Sequence, residues 1–369
     1  MPIEFIGMIS AKPGSETDVR PGPAIDHGYL RAFAQAHDEA GFDRVLIGYG
    51  SSQPDGLQIA AYAAAHTERL TFLIAHRPGF VAPTVAARAF ATLDQLTEGR
   101  IAVHVISGGN DAEQRRDGDR LPKDERYART DEYLEILDRA WRSEKPFDYA
   151  GRHYAFEDFV SEVRPFQRPR IPIYFGGASE TAIRVGARHA DVFALWGEPL
   201  AETAEQIAAV RAAAEAAGRE RPPRISVSFR PILGDTDEEA WERAHRILEV
   251  AEANLDVARA IGKRFGLASG KPENAGSQRL LAAAERGELH DRALWTPIAK
   301  AVGAYGNTTA LVGSPETVAE ALLDYVDIGV TTLLIRGFDP LEDAVDYGRR
   351  LLPRVRQEVA RREGLAVAG

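Results

Sequence analysis

The chain reads as an α/β protein, a (β/α)8 TIM barrel carrying a long insertion between its seventh and eighth strands. Three observations point there. Short β-branched or aliphatic runs alternate with Ala-rich helical segments over the whole length. Eight strand–helix units can be counted. Polar, aromatic and cationic residues gather at the strand ends, where a barrel builds its site. A doubly wound open sheet is the alternative topology.

Strands are expected at Ile3–Ile9, Arg44–Ile47, Leu70–Ala75, Ile101–Ile106, Ile173–Phe175, Val192–Leu195, Ile225–Ile232 and Thr332–Ile335. Helices are expected near 27–40, 56–66, 84–97, 126–143, 179–189, 202–217, 237–260 and 340–357. The segment from Phe147 to Phe156 predicts a hairpin turning at Ala150 and Gly151. Residues 262–313 are far longer than an ordinary βα connection. They hold Gly266, Gly270, Pro272, Gly276, Gly303 and Gly306, with a helical piece around Gln278–Ala284. Such an insertion is expected over the C-terminal face as a lid, with a packing or subunit-contact role as the alternative. The whole chain, 1–369, is expected to be one domain.

The 369 residues are 44% apolar, contain no cysteine and carry a net charge of −10. Disulfides, thiolate catalysis and Cys-ligated metal sites are thereby excluded. The negative balance argues against nucleic acid or an anionic membrane as partner. No apolar run reaches membrane-spanning length, and Met1 leads directly into a strand without a secretory signal. A cytoplasmic protein is expected. Ala- and Leu-rich helix faces suit a homodimer or homotetramer, and equally suit packing on a barrel.

The strand ends carry Ser10, Tyr49 to Ser52, His76 and Arg77, Ser107 to Asn110, Gly176 to Ser179, Trp196 to Glu198, Arg230, and Arg336 to Phe338. Gly176 to Ser179 follows a short apolar strand and opens a Ser-capped helix. Such a turn offers backbone N–H groups and a hydroxyl to an anion. Trp196 ends the next strand and would stand on the same face as an aromatic wall. No carboxylate cluster has metal-ligand spacing, no metal site is expected, and no Ser-His-Asp set is evident. An organic cofactor with a phosphate and a flat ring is the expected carrier of the chemistry. Each residue also has a plainer reading. The glycines can relieve crowding, Ser179 can simply cap its helix, and Trp196 can fill the barrel rim. His76 and His104 can be structural, and Arg230 can be a surface ion-pair residue. The run Glu113–Arg120 reads as a solvated loop.

Taken together, these segments resemble the luciferase-like flavin-dependent monooxygenases, most closely the alkanesulfonate monooxygenase branch. The resemblance rests on Arg77-Pro78 with Pro83 to Arg88, Thr92 to Leu96 and Gly99-Arg100. It rests also on Ser107 to Gly109, Asp117 to Asp119, Glu125 to Tyr127, Tyr174 to Ser179, Trp196 to Pro199, Asp26 to Leu30 and Thr309 to Gly313. It implies a barrel that takes reduced FMN (FMNH2) from a separate NAD(P)H-dependent FMN reductase and uses O2 to oxygenate a small organosulfur substrate. In the sulfonate branch the C–S bond breaks, giving an aldehyde and sulfite. Carried over, Ser107, Tyr127, Gly177, Ala178 and Ser179 would surround the FMN phosphate and ribityl chain. Ala75, His76 and Trp196 would border its ring. Arg230, Trp196 and His76 are the catalytic candidates, and Arg77, Arg230, Arg336 and Phe338 the substrate-binding ones.

The chain departs from that branch at four places. Ser51 to Gln53 stands where the branch has a Cys. Ser228 and Arg230 replace its Arg-x-His pair, and Phe338 its tyrosine. Gly303 to Asn307 lacks its lid arginine. An alkanesulfonate remains the first expectation. A sulfone or other uncharged organosulfur compound, F420-dependent hydride transfer and a non-catalytic flavin-binding protein are the alternatives.

Overall fold

The computed structural model describes residues 3–19, 21–264, 272, 274–304, 306, 308–362 and 364. Eight parallel strands close into a barrel: β1 Glu4–Ile9, β2 Arg44–Ile47, β3 Thr71–His76, β4 Ile101–Val105, β5 Ile173–Gly176, β6 Val192–Trp196, β7 Arg224–Leu233 and β8 Thr332–Ile335. Closure is made by β7, which pairs with β6 on one side and β8 on the other. The open-sheet alternative is thereby excluded. All eight expected strands are present within a residue or two of their expected ends.

Helices pack around this sheet, and side-chain caps fix several of their starts. Asp26, Asp55, Ser179 and Ser314 each accept a hydrogen bond from a backbone N–H in the first turn, satisfying a group the helix itself cannot. The hairpin forms from Phe147–Ala150 and Ala155–Phe159, closed by Gly151 N–H donating to the Tyr154 carbonyl at 2.8 Å.

Three expectations need correction. Residues 340–357 are not one helix: Pro340–Arg350 ends, and Leu352–Arg362 begins anew, because Pro353 can enter a first turn but not an interior one. A further helix, Pro315–Asp327, precedes β8. The run Glu113–Arg120 is only in part a solvated loop, with Arg115, Arg116, Gly118 and Arg120 exposed. Asp111–Arg116 is helical, and Gln114 and Asp119 are buried.

The described part of the insertion comprises a helix Ala275–Arg286, short strands Leu289–His290, Leu294–Trp295 and Ala310–Gly313, and a helical turn Pro297–Ala301. Gly266, Gly270, Tyr305 and Asn307 lie outside the described residues. Ala310–Gly313 runs parallel to the far half of β7, pairing Ala310 with Arg230 and Gly313 with Leu233. Thus β7 has a barrel half and an upper half. The upper half anchors a second apolar cluster that includes Ile232, Trp295, Val312 and Phe338. Among the described residues, no helix is long and apolar enough to cross a membrane.

Candidate active site

Alternation along a strand sends every second side chain into the barrel. At the N-terminal end Glu4 meets Arg44 at 3.5 Å, Arg224 at 3.4 Å and the hydroxyls of Thr332 and Tyr174 at 3.3 and 3.4 Å. Above it Ile6, Leu73, Ala102, Tyr174 and Val192, with Leu46 and Leu334, form a separate apolar layer. This layer fills the barrel. The next inward positions, Met8, Gly48, His104, Gly176 and Ala194, are only half-buried. The C-terminal mouth is therefore a recess with an apolar floor, the usual place for a barrel site.

On one side of the mouth five expected residues converge. The Ser107 hydroxyl lies 3.1 Å from that of Thr130, one turn beyond Tyr127 on the helix Lys123–Arg142. Tyr127 hydrogen-bonds Ser179, and burial raises its hydroxyl above the ordinary pKa, so it remains a neutral donor. Ser179 Oγ accepts from Ala182 N–H at 3.3 Å, capping Glu180–His189. Gly177 has φ 151°, and a Cβ there would stand 2.6 Å from Ala182 Cβ. Only glycine fits this turn. Half-buried Ala178 completes it. Arg126 braces the β4 side, donating through Nε to the Ser107 carbonyl at 3.2 Å and pairing with Asp111 at 2.7 Å.

His76 is not brought to this recess. It pairs in register with outward-facing Val105, whereas Ala75 pairs with His104. Its Nε2 lies 2.7 Å from the Tyr133 hydroxyl, and its ring packs edge-on against Phe90 in the helix layer. Burial depresses its pKa to about 4. His104 occupies the inward position instead, facing Gly176, with a pKa also near 4 through burial and no hydrogen-bond partner at Nδ1.

Arg77 is inward-facing and buried. It donates to Glu113 at 2.7 Å and lies 4.6 Å over the Tyr49 ring, while its buried Nε and Nη1 have no hydrogen-bond partner among the described residues. Glu113 also accepts from Ser51 N–H at 3.1 Å, tying the β2 and β4 loops together.

Across the mouth Arg230 is completely buried. Its Nη1 meets Glu16 at 2.8 Å, Nη2 donates to the Gly337 carbonyl at 2.9 Å, and the guanidinium stacks 3.6 Å over Phe338. Arg336 stands 3.8 Å from the other Glu16 oxygen. Burial would raise the Glu16 carboxyl, but Arg230 and then Arg336 overcome this and hold it near 2. Burial, with Arg230 alongside, lowers Arg336 to about 10. Phe338 is 1% exposed and serves as the platform for Arg230 rather than as a lining of open space.

Trp196, inward at the end of β6, lies under the insertion. A Cβ on Gly276 would stand 2.8 Å from its ring, and one on Gly109 would stand 3.2 Å from Asn274. The start of the helix Ala275–Arg286 thus crosses above the ends of β4 and β6. Arg279 holds it there through a bidentate pair with buried Glu198 at 2.7 and 2.9 Å.

Glu16, Glu113 and His104 were not on the expected list of site residues. His104 was readable, since alternation along β4 points it inward with Ala102. Glu16 and Glu113 lie in connections with no periodicity to reveal them. Among the described residues, no group of three or more His, Asp or Glu could hold a metal ion.

The structure is similar to several solved ones. Riboflavin lyase RcaE, solved with modified FMN and its substrate riboflavin, matches at 20% identity and TM-score 0.77, covering 100% of this chain and 93% of that one. DmoA from Hyphomicrobium sulfonivorans matches at 22% identity and TM-score 0.76, covering 100% and 90%. The EDTA monooxygenase EmoA from Chelativorans sp. BNC1 matches at 18% identity and TM-score 0.76, covering 99% of each. These likenesses establish the fold. A sequence profile of the family described as luciferase-like monooxygenase matches residues 3–332. With most of its length matched in sequence and its barrel closed in structure, the chain belongs to the luciferase-like monooxygenase family.

Proposed function

We propose that this chain is the oxygenating half of a two-component, FMN-dependent monooxygenase acting on a small organosulfur compound, an alkanesulfonate first among them. The observation that carries the cofactor is the convergence of Ser107, Tyr127, Gly177 and Ser179 at the ends of β4 and β5. Three hydroxyls and the start of a ten-residue helix converge at a turn too tight for a side chain. That arrangement suits a phosphate dianion. The ring would lie toward Ala75, His104 and Trp196, over the half-buried recess. Bound reduced FMN supplies the electrons with which one atom of O2 enters the substrate and the other leaves as water. A separate NAD(P)H-dependent reductase would provide it.

The chain's own residues bind and exclude. Ser179 and Tyr127 hold the phosphate, Ala178 borders the ribityl chain, and Trp196 with the Gly276 backbone keeps water from the ring. Arg336, partly exposed beside Met8, is the cation most open to a sulfonate, whereas Arg77 is buried against Glu113 and the Tyr49 ring. Arg230 is already paired with Glu16, and this favours a second reading in which the substrate is an uncharged sulfone.

The test is anaerobic titration of the purified protein with reduced FMN, then admission of O2 with a panel of sulfonates and sulfones. The expected result is tight FMN binding and release of sulfite or another oxygenated product. No binding of reduced or oxidised FMN, or turnover with F420 in the absence of O2, would overturn the proposal.

A further inference from the structure

The charge balance around Arg230 has a consequence for selectivity. Two guanidiniums, Arg230 and Arg336, converge on one carboxylate, Glu16, at 2.8 and 3.8 Å. The cluster therefore carries one surplus positive charge. Arg230 is fully buried, whereas the side chains of Arg336 and Glu16 are 25% and 27% exposed. An incoming ligand meets Arg336 and Glu16 and never reaches Arg230 without displacing them.

Glu16 is also held by its backbone. Asn254 Nδ2 donates to the Glu16 carbonyl at 3.1 Å, and the neighbouring Thr17 hydroxyl donates to the Phe338 carbonyl at 3.1 Å. The carboxylate is thus a fixed part of the mouth. A buried guanidinium without a counter-charge is costly, and Glu16 supplies that counter-charge to Arg230, whose Nε and Nη1 have no hydrogen-bond partner among the described residues. Among the described residues, Arg336 has a long contact to Glu16 and one to the Met8 sulfur, each at 3.8 Å.

We propose that Glu16 is a specificity-determining residue: it cancels one of the two cations, so that the mouth accepts a single negative charge and rejects a dianion. The ligand class is a small monoanion, a monosulfonate under the function proposed above, on which this inference rests for its chemistry. Arg336 supplies the attraction, and Glu16 repels a second anionic group.

The experiment measures equilibrium binding by calorimetry, using ethanesulfonate, ethane-1,2-disulfonate and diethyl sulfone as probes. The wild type, Glu16→Gln and Arg336→Gln are compared. The wild type should prefer the monosulfonate to the disulfonate. Glu16→Gln should shift that preference toward the disulfonate by about tenfold or more, the effect of one unit charge a few ångströms away in a partly buried site. Arg336→Gln keeps the Arg230–Glu16 pair and so tests the idea even if Glu16→Gln folds poorly. It should lose monosulfonate binding by a similar factor and leave sulfone binding unchanged. An unaltered preference in Glu16→Gln, or monosulfonate binding at wild-type strength in Arg336→Gln, overturns the inference. So does a wild type that binds only the sulfone. FMN titration of the same three proteins reads the proposed function separately. Loss of FMN binding with the charge preference intact would sink that function alone.

Discussion

Replacing Arg230 by Met tests the central electrostatic claim, because it removes the guanidinium while keeping an unbranched apolar stem. The Glu16 carboxyl sits near pH 2 rather than at its ordinary 4.5, which corresponds to about 3 kcal/mol of stability. Burial opposes this, so the two attractions together exceed that net figure; Arg230 at 2.8 Å is the larger and Arg336 at 3.8 Å the smaller, and losing Arg230 forfeits at least about 2 kcal/mol. The hydrogen bond to the Gly337 carbonyl adds about 1 kcal/mol. Arg230→Met should therefore cost about 3 kcal/mol at pH 7. The sign with pH follows from the depressed carboxyl: its contribution is complete above about pH 5 and is lost as pH falls toward 2. The assay is urea unfolding of wild type, Arg230→Met, Glu16→Gln and the double variant at pH 7 and pH 3. At pH 7 the cycle should show a coupling near 2 kcal/mol, with the double variant more stable than the sum of the single losses allows. At pH 3 the coupling should shrink. A coupling below about 0.5 kcal/mol at pH 7, the scatter expected for independent sites, would refute the reasoning.

Other perturbations probe other parts of the site. Gly177→Ala places a Cβ 2.6 Å from Ala182 on a backbone at φ 151°, a strain of about 1–3 kcal/mol. It should weaken FMN binding at least tenfold while barely altering riboflavin binding, and equal losses for both would reject the phosphate assignment. Gly276→Ala drives a methyl to 2.8 Å from the Trp196 ring. It should shift the tryptophan emission and cost about 1–3 kcal/mol in thermal unfolding, and unchanged emission would exclude the contact. His37 and His76 are both held near 4 by burial, so stability should fall as pH drops from 6.5 toward 4, by about 2 kcal/mol for each at pH 5. His76→Phe should remove part of that loss, and an identical pH–stability profile would count against a neutral buried His76.

The barrel was legible because its strands are short apolar runs with distinct turns. Arg44–Ile47 and Thr332–Ile335 have the bounds expected of them. The tight turn and helix cap at Gly177 and Ser179 were legible too, since both are backbone requirements that the sequence states directly. Other features depended on tertiary context. The helix Pro315–Asp327 carries a readable start, Ser314 followed by Pro315, yet it stands immediately after a short strand that itself follows an insertion. The polar run Glu113–Arg120 reads as solvated by composition, and its arginines are exposed, but Arg77 pairs with half-buried Glu113 and Arg129 with buried Asp119. His76 and Arg77 are adjacent in sequence and lie on opposite sides of the sheet. A one-residue difference in phase decides which faces the recess.

The substrate question turns on charge balance more than on the identity of any single residue. Read alone, Arg230 at the end of β7 invites an anion. In the fold it is the least available cation of the mouth, because Phe338, Gly337 and Glu16 already occupy its face, edge and charge. The positive charge that remains for a ligand is the surplus, and it resides on Arg336. A dianion would have to pay for displacing Glu16 from a guanidinium that cannot be left bare. An uncharged sulfone would leave Arg336, among the described residues, with the long contact to Glu16 and a weak one to Met8. A single anionic group is the charge that completes this site.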